Sequence, residues 1–136
     1  MGLRSLTIPI MTDRSLSALA ALCMLVGVAA GAFGAHGLKG RLDAEMLGVW
    51  QTGVQYHLVH ALGLFAVAWL RARHPQARLL SAAGWLMLAG IVLFSGSLYA
   101  LAFTGISWLG AITPLGGLAF LLAWAATAWA AWRAPR

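Results

Sequence analysis

Charge is what this chain has least of. Only 9% of its 136 residues are Asp, Glu, Lys or Arg, and just three of them are acidic. A soluble domain carries about 25% charged residues. That composition is excluded here, and 62% hydrophobic residues with a mean hydropathy of +0.86 place the chain in a bilayer. Cys23 is the only cysteine. No intrachain disulfide is therefore available, the redox compartment is not legible, and Cys23 reads as a small buried hydrophobe. There is no 20- to 50-residue repeat, which removes solenoid arrays. No carboxylate falls inside the long uncharged runs, so the usual site for coupling protons to a cationic substrate is missing and a small drug exporter is disfavoured.

What the chain does have is three uncharged runs, Ser15–Leu38, Met46–Leu70 and Leu79–Trp132, of 24, 25 and 54 residues. One spanning helix takes about 20 residues, so the last run holds two. The expectation is an all-α membrane protein, a four-transmembrane-helix antiparallel bundle. The membrane domain covers residues 15–132, with spans at about 15–37, 46–70, 79–103 and 108 or 114 to 132. A cytoplasmic arm (1–14) precedes it and a cytoplasmic tail (133–136) follows. Arg4, Arg14, Arg71, Arg73, Arg78, Arg133 and Arg136 share one side, against Lys39 and Arg41 offset by Asp43 and Glu45 on the other. By the positive-inside rule both termini face the cytoplasm. A pI near 11.2 raises nucleic acid as a partner. The cations are scattered singly at the ends of apolar runs, which disfavours it. Arg4 and Arg14 ahead of an apolar run ending in Ala30-Gly31-Ala32 also fit a cleaved signal, but the uncharged run is longer than a signal needs.

Residues 1–14, with Pro9, read as a poorly ordered arm. Gly27, Gly31 and Gly34 in span one, Gly96 in span three, and Gly116 and Gly117 in span four are candidate helix-packing positions, because small residues let helices approach closely in lipid. In span one the same spacing makes a homo-oligomer plausible, with simple glycine richness as the alternative. Asp43 and Glu45 suit the positive end of the second helix. Pro75 and its flanking charges stop that helix, with His74 on the solvent side. Thr113 and Pro114 read as N-cap and first residue of span four, Trp108–Ile112 being an interfacial segment, unless the helix starts earlier and kinks. The tryptophans fit an aromatic belt, with Trp50 and Trp108 at one interface and Trp69, Trp85, Trp129 and Trp132 at the other. Trp124 is expected to pack deeper.

The main polarity within the apolar runs is a stripe on span two. Thr52, Tyr56 and His60 repeat every four residues and form one line, Gln51 and Gln55 occupy the adjoining face, and His57 points elsewhere. Such groups should face the bundle interior or a hydrated cavity. By depth His57 and His60 lie near the midplane, while Gln51, Thr52, Gln55 and Tyr56 join His36, Ser95, Ser97, Tyr99 and Thr113 in the outer half, and the inner half holds little beyond Ser81 and Thr127. The reading is an outward-opening polar vestibule over an apolar floor. Its candidate pocket is His36, Gln51, Thr52, Gln55, Tyr56, His60, Ser95, Tyr99 and Thr113. These groups either hold a ligand or bond helix to helix at about 1 kcal/mol each.

Specific chemistries fare poorly. Bis-histidine haem needs ligands at matching depth, and His36 and His60 differ in depth. The same mismatch counts against a His36, His57 and His60 metal site. A serine–histidine pair has no intramembrane carboxylate to orient it. No catalytic residue, metal or cofactor is assigned.

The segments Ala32-Phe-Gly-Ala-His-Gly-Leu38, Trp50-Gln-Thr-Gly-Val-Gln-Tyr-His-Leu-Val-His-Ala-Leu62, Leu93-Phe-Ser-Gly-Ser-Leu-Tyr99 and Ile112-Thr-Pro-Leu-Gly-Gly117 carry a resemblance. Across about Leu16 to Trp132 the chain resembles domain-of-unknown-function family 423, small bacterial inner-membrane proteins similar to transmembrane protein 256 of animals. The resemblance implies a multi-span membrane protein and brings no cofactor or catalytic residue. It picks out His36, Gln51, Gln55, Tyr56, His60, Ser95, Tyr99, Thr113 and Pro114.

The functional expectation is a non-enzymatic accessory or structural membrane protein. The alternative is a small transporter or ligand-binding protein for a neutral or anionic solute. Its partners are the lipid bilayer and either further copies of itself or another membrane protein.

Overall fold

The computed structural model describes residues 9–134. Expectations that rest on Arg4, Arg136 and the first eight residues of the arm lie outside the described residues. Helix α1 is Asp13–His36. Thr12 caps it in a reciprocal box with Ser15, each side chain accepting from the other's backbone N–H at 3.1 and 2.9 Å. Helix α2, Ala44–Arg73, begins at Asp43, whose carboxylate accepts from Met46 N at 2.8 Å. At 1.5 Å per residue its 30 residues reach about 45 Å, well beyond a hydrocarbon core of about 30 Å. His74, Pro75 and Gln76 turn the chain into α3, Arg78–Gly90. A π-helical turn at Ile91–Ser95 continues into α4, Gly96–Thr104, so Arg78–Thr104 is a single span. Gly105 ends it in the left-handed region at φ +67°, where glycine carries no Cβ penalty.

A 3₁₀ turn at Ser107–Ala111 leads into α5, Thr113–Arg133. The N-cap expected of Thr113 is not formed. The preceding residue, Ile112, already has helical dihedrals, and the unbroken passage from the 3₁₀ turn leaves no extended residue to cap from. Among the described residues four helical spans are thus long and apolar enough to cross a membrane.

Helix α2 is the centre of the bundle and its most buried span. Helix α1 packs on one flank of α2, α3 and α4 pack on the other, and α5 packs on α3 and the π turn while meeting α2 only sparingly. Gly27, Gly31 and Gly34 all face α2, against Leu58, Val54 and Trp50 respectively. The close approach they permit is used within the chain. Gly116 lies against the backbone of Phe94, and Gly117 is in ordinary contact with its ring. Gly96 is not a packing position. A Cβ there meets nothing within 4 Å.

Two apolar clusters fill the bundle. The larger joins Leu16, Leu64, Val67, Leu80, Met87 and Phe120 towards the cation-rich end, and the smaller is built on Leu38, Trp50 and Ala102 towards the opposite end. Trp50 is no belt residue. It is 6% exposed, packs against Phe33, Tyr99 and Phe103, and donates its indole N–H to the Ala30 carbonyl at 2.9 Å. Trp124, expected to pack, does so on one side: its ring lies against Gly63 of α2, while 40% of the residue stays exposed.

The arm is well fixed at Pro9–Thr12. Met11 N donates to Ser81 Oγ at 2.7 Å, Trp85 Nε1 donates to the Pro9 carbonyl at 2.8 Å, and Arg71 Nε donates to the Met11 carbonyl at 3.3 Å. Met11 is buried beside Gly84, whose missing side chain leaves room for Met11 and Leu16. Arg71, at a helix end in the sequence, is buried and also donates to the Ala77 carbonyl at 3.0 Å. Both carbonyls are thereby satisfied by one charge.

Candidate functional site

The inward face of α2 is set by small residues. Gly53, Ala61 and Gly63 point into the bundle, with Tyr99 and Leu98 against Gly53, and with Met87 and Trp124 against Gly63. The polar line runs along the other side of the helix. Gln51, Thr52 and Gln55 are exposed, and Tyr56 is 42% exposed. Thr52 donates to the Gly48 carbonyl of its own helix at 3.0 Å. Of the stripe, His60 is buried and so is His57, which periodicity had turned away from the site. The line does not face the interior because the neighbours close on glycine and alanine, where the backbones approach most tightly.

What lies inside is a polar layer between the two apolar clusters. His57 Nδ1 and the Tyr99 hydroxyl are 3.1 Å apart, joining α2 to α4. Ser95, fully buried, donates to the Gly53 carbonyl at 2.7 Å. Ser97 donates to the Phe94 carbonyl at 2.9 Å and its oxygen lies 2.7 Å from Thr113 Oγ1, joining α4 to α5. His57 Nε2 has no hydrogen-bond partner among the described residues. His60 Nδ1 is 2.6 Å from the Tyr56 carbonyl. That carbonyl can only accept, so Nδ1 carries the proton. The His60 ring stacks on Phe120 at 3.4 Å between centroids.

No single vestibule gathers the candidate residues. Gln51 and Gln55 border a cavity of about 370 Å³ between α1 and α2, with Gly31, Gly34 and Trp50. Tyr56 and His60 border a lateral groove of about 450 Å³ between α2 and α5, with Phe94, Phe120 and Trp124. Gln55 joins Tyr56, Val59 and His60 around a third hollow of about 270 Å³. His36 is exposed in the last turn of α1. Ser95, Tyr99 and Thr113 belong to the interior layer. Among the described residues no three His, Cys, Asp or Glu side chains gather in a way that would hold a metal ion.

A further cavity, about 670 Å³, is at the cation-rich end, where the inner half was expected to hold little polarity. Arg73, His74, Arg78 and Arg133 line it together with Leu79 and Trp129. Sequence reasoning placed these arginines on one side, but their convergence needed the topology, which returns the end of α5 beside the turn between α2 and α3. The signal it passed over for His57 is the small face of α2. Gly53 lies one turn before His57 and Ala61 one turn after it.

Four apolar spans, a cation-rich end and an interior of hydrogen-bonded Ser, Thr, Tyr and His define a multi-pass α-helical membrane protein. Residues 30–117 match the family described as "Protein of unknown function (DUF423)". The chain belongs to that family. It is similar to the UPF0382 membrane protein YwdK of Bacillus subtilis, 59% identical over 106 residues that cover 78% of this chain and 86% of the relative. It is also similar to a UPF0382 membrane protein of Haemophilus influenzae, 43% identical over 115 residues that cover 85% and 91% of the two chains. No solved structure matches it.

Proposed function

We propose that this chain is a non-enzymatic accessory or structural protein of the bacterial inner membrane, with both termini in the cytoplasm. The supporting observation is that three interior polar contacts join one span to another: His57 with Tyr99, Ser95 with the Gly53 carbonyl, and Ser97 with Thr113. In lipid such bonds hold spans together, since no hydrophobic contrast drives them to associate. The orientation rests on the arginines at one end, five of them among the described residues, against Lys39 and Arg41 at the other. A transporter or ligand-binding role for His36, Gln51, Thr52, Gln55, Tyr56, His60, Ser95, Tyr99 and Thr113 has less support, because these residues are divided between separate hollows and the interior layer.

The test is a double-mutant cycle on Ser97→Ala and Thr113→Val, followed by unfolding of the purified protein in mild detergent. The expected coupling is about 0.6 kcal/mol, the average for intramembrane hydrogen bonds. Mass spectrometry and a visible spectrum of the wild-type protein should show no bound solute or chromophore. A stoichiometric solute whose retention is lost in His60→Ala would overturn the reading. A carboxyl-terminal alkaline phosphatase fusion should be inactive, and an active one would reverse the orientation.

A further inference from the structure

The cavity at the cation-rich end is distinct from the polar layer and has no part in holding the helices together. Arg73 and Arg78 reach it from the turn between α2 and α3, and Arg133 from the last turn of α5. All three arginines are exposed. The Arg73 guanidinium lies over the Trp69 ring at 4.4 Å and that of Arg133 over Trp129 at 4.8 Å. A cation held against a ring face keeps its N–H edge available, and a planar fork of donors matches phosphate oxygens. None of the three carboxylate side chains lines the cavity. Asp43 and Glu45 stand at the opposite end, and Asp13, at the start of α1, is not among the lining residues. Helix α3 starts there without a side-chain cap, so its positive end adds to the same field.

The rest of the lining is His74, Gln76 and an apolar wall. Leu79, Ala77, Ala130 and Trp129 form the wall, and Leu79 and Trp129 are themselves exposed towards the lipid side. Cationic groups at the headgroup level above an apolar wall fit a molecule that is anionic at one end and hydrocarbon at the other. A free anion would leave that wall uncovered. A zwitterionic headgroup would bring a second cation among three guanidiniums.

We propose that this cavity is a binding site for an anionic phospholipid, with the phosphate between Arg73, Arg78 and Arg133 and the first part of an acyl chain along Leu79 and Trp129. Basic pockets between spans recognise such headgroups, and each nearby cation contributes about 1 kcal/mol, or about fivefold in affinity.

The test uses the full chain in mild detergent, titrated with phosphatidylglycerol or with phosphatidylcholine of the same acyl chains, and read by native mass spectrometry. Three cations at about fivefold each give an expected preference for phosphatidylglycerol on the order of a hundredfold. Arg78→Gln with Arg133→Gln should cut that preference about 25-fold, the product of two such factors. Lys39→Gln with Arg41→Gln, at the opposite end, should leave it within about twofold, having removed no cation from the site. These side chains are exposed, and unchanged helical circular dichroism verifies each fold. Raising salt on the wild-type protein should weaken retention of phosphatidylglycerol and not of phosphatidylcholine. Equal retention of the two lipids, or equal losses in the two double variants, would overturn the proposal. Displacement of the lipid by millimolar inorganic phosphate would also overturn it and assign the site to a soluble anion.

Discussion

Two glycines in neighbouring elements provide a paired test of how the bundle is held. A Cβ built on Gly116 would lie 2.7 Å from both Cα and Cβ of Phe94 and closer still to its backbone nitrogen. No rotamer change relieves that contact, because the obstruction is main chain inside a π turn. A Cβ on Gly96 would meet nothing within 4 Å. Gly96→Ala should therefore gain helix propensity alone, up to about 1 kcal/mol. Gly116→Ala gains the same propensity and meets overpacking of about 1–3 kcal/mol, towards the upper figure for an immovable neighbour. Its net cost is about 1–2 kcal/mol, so the two variants should differ by about 2–3 kcal/mol. On the scale for a chain of this length, roughly 3–6 °C per kcal/mol, their melting temperatures in one detergent should differ by on the order of 10 °C. The assay is tryptophan fluorescence against temperature, with size-exclusion chromatography to check dispersity. Equal melting temperatures, or a more stable Gly116→Ala, would refute the claim that α5 docks on the π turn by backbone contact.

Two further predictions rest on the ends of the bundle. Arg71→Met removes both bonds to the Met11 and Ala77 carbonyls and should destabilise the protein by about 3–6 kcal/mol, since bonds to a charged donor are worth about 1.5–3 kcal/mol each. Hydrogen exchange at Met11 and Thr12 should rise at least tenfold, and unchanged protection would show that the arm is held without Arg71. Trp50→Ala should cost about 3–5 kcal/mol as a buried aromatic truncation, whereas Trp132→Ala, at 86% exposure, should change the melting temperature little. Comparable losses in the two would return Trp50 to the membrane interface.

The spans were legible because uncharged runs of membrane length admit few alternatives, and the family because four ordered motifs carry it. The orientation of α2 about its own axis was not. A wheel shows that Thr52, Tyr56 and His60 share a line, but which line is buried depends on where the neighbouring backbones come closest. Gly53, Ala61 and Gly63 decide that, and they turn His57 inward. Polarity was a poor guide, since Thr52 is satisfied by its own helix and needs no interior partner. Trp50 misled for a related reason. A tryptophan near a span end fits a belt, yet Gly34 on α1 opens a place for its ring. The π turn at Ile91–Ser95 had no sequence signal.

The hydrogen bonds of Pro9 and Met11 bear on the order in which the chain can be built. Their partners Arg71, Ser81 and Trp85 lie 60, 70 and 76 residues further along. During synthesis these first residues emerge and α1 enters the bilayer long before any of those partners exists. The arm therefore waits, solvated, until the third span has arrived. A single event then joins the beginning of the chain to its middle, closing a ring through α1, α2 and α3. Protection of the Met11 N–H is thus a timer for assembly, silent in nascent chains that stop short of its partner Ser81.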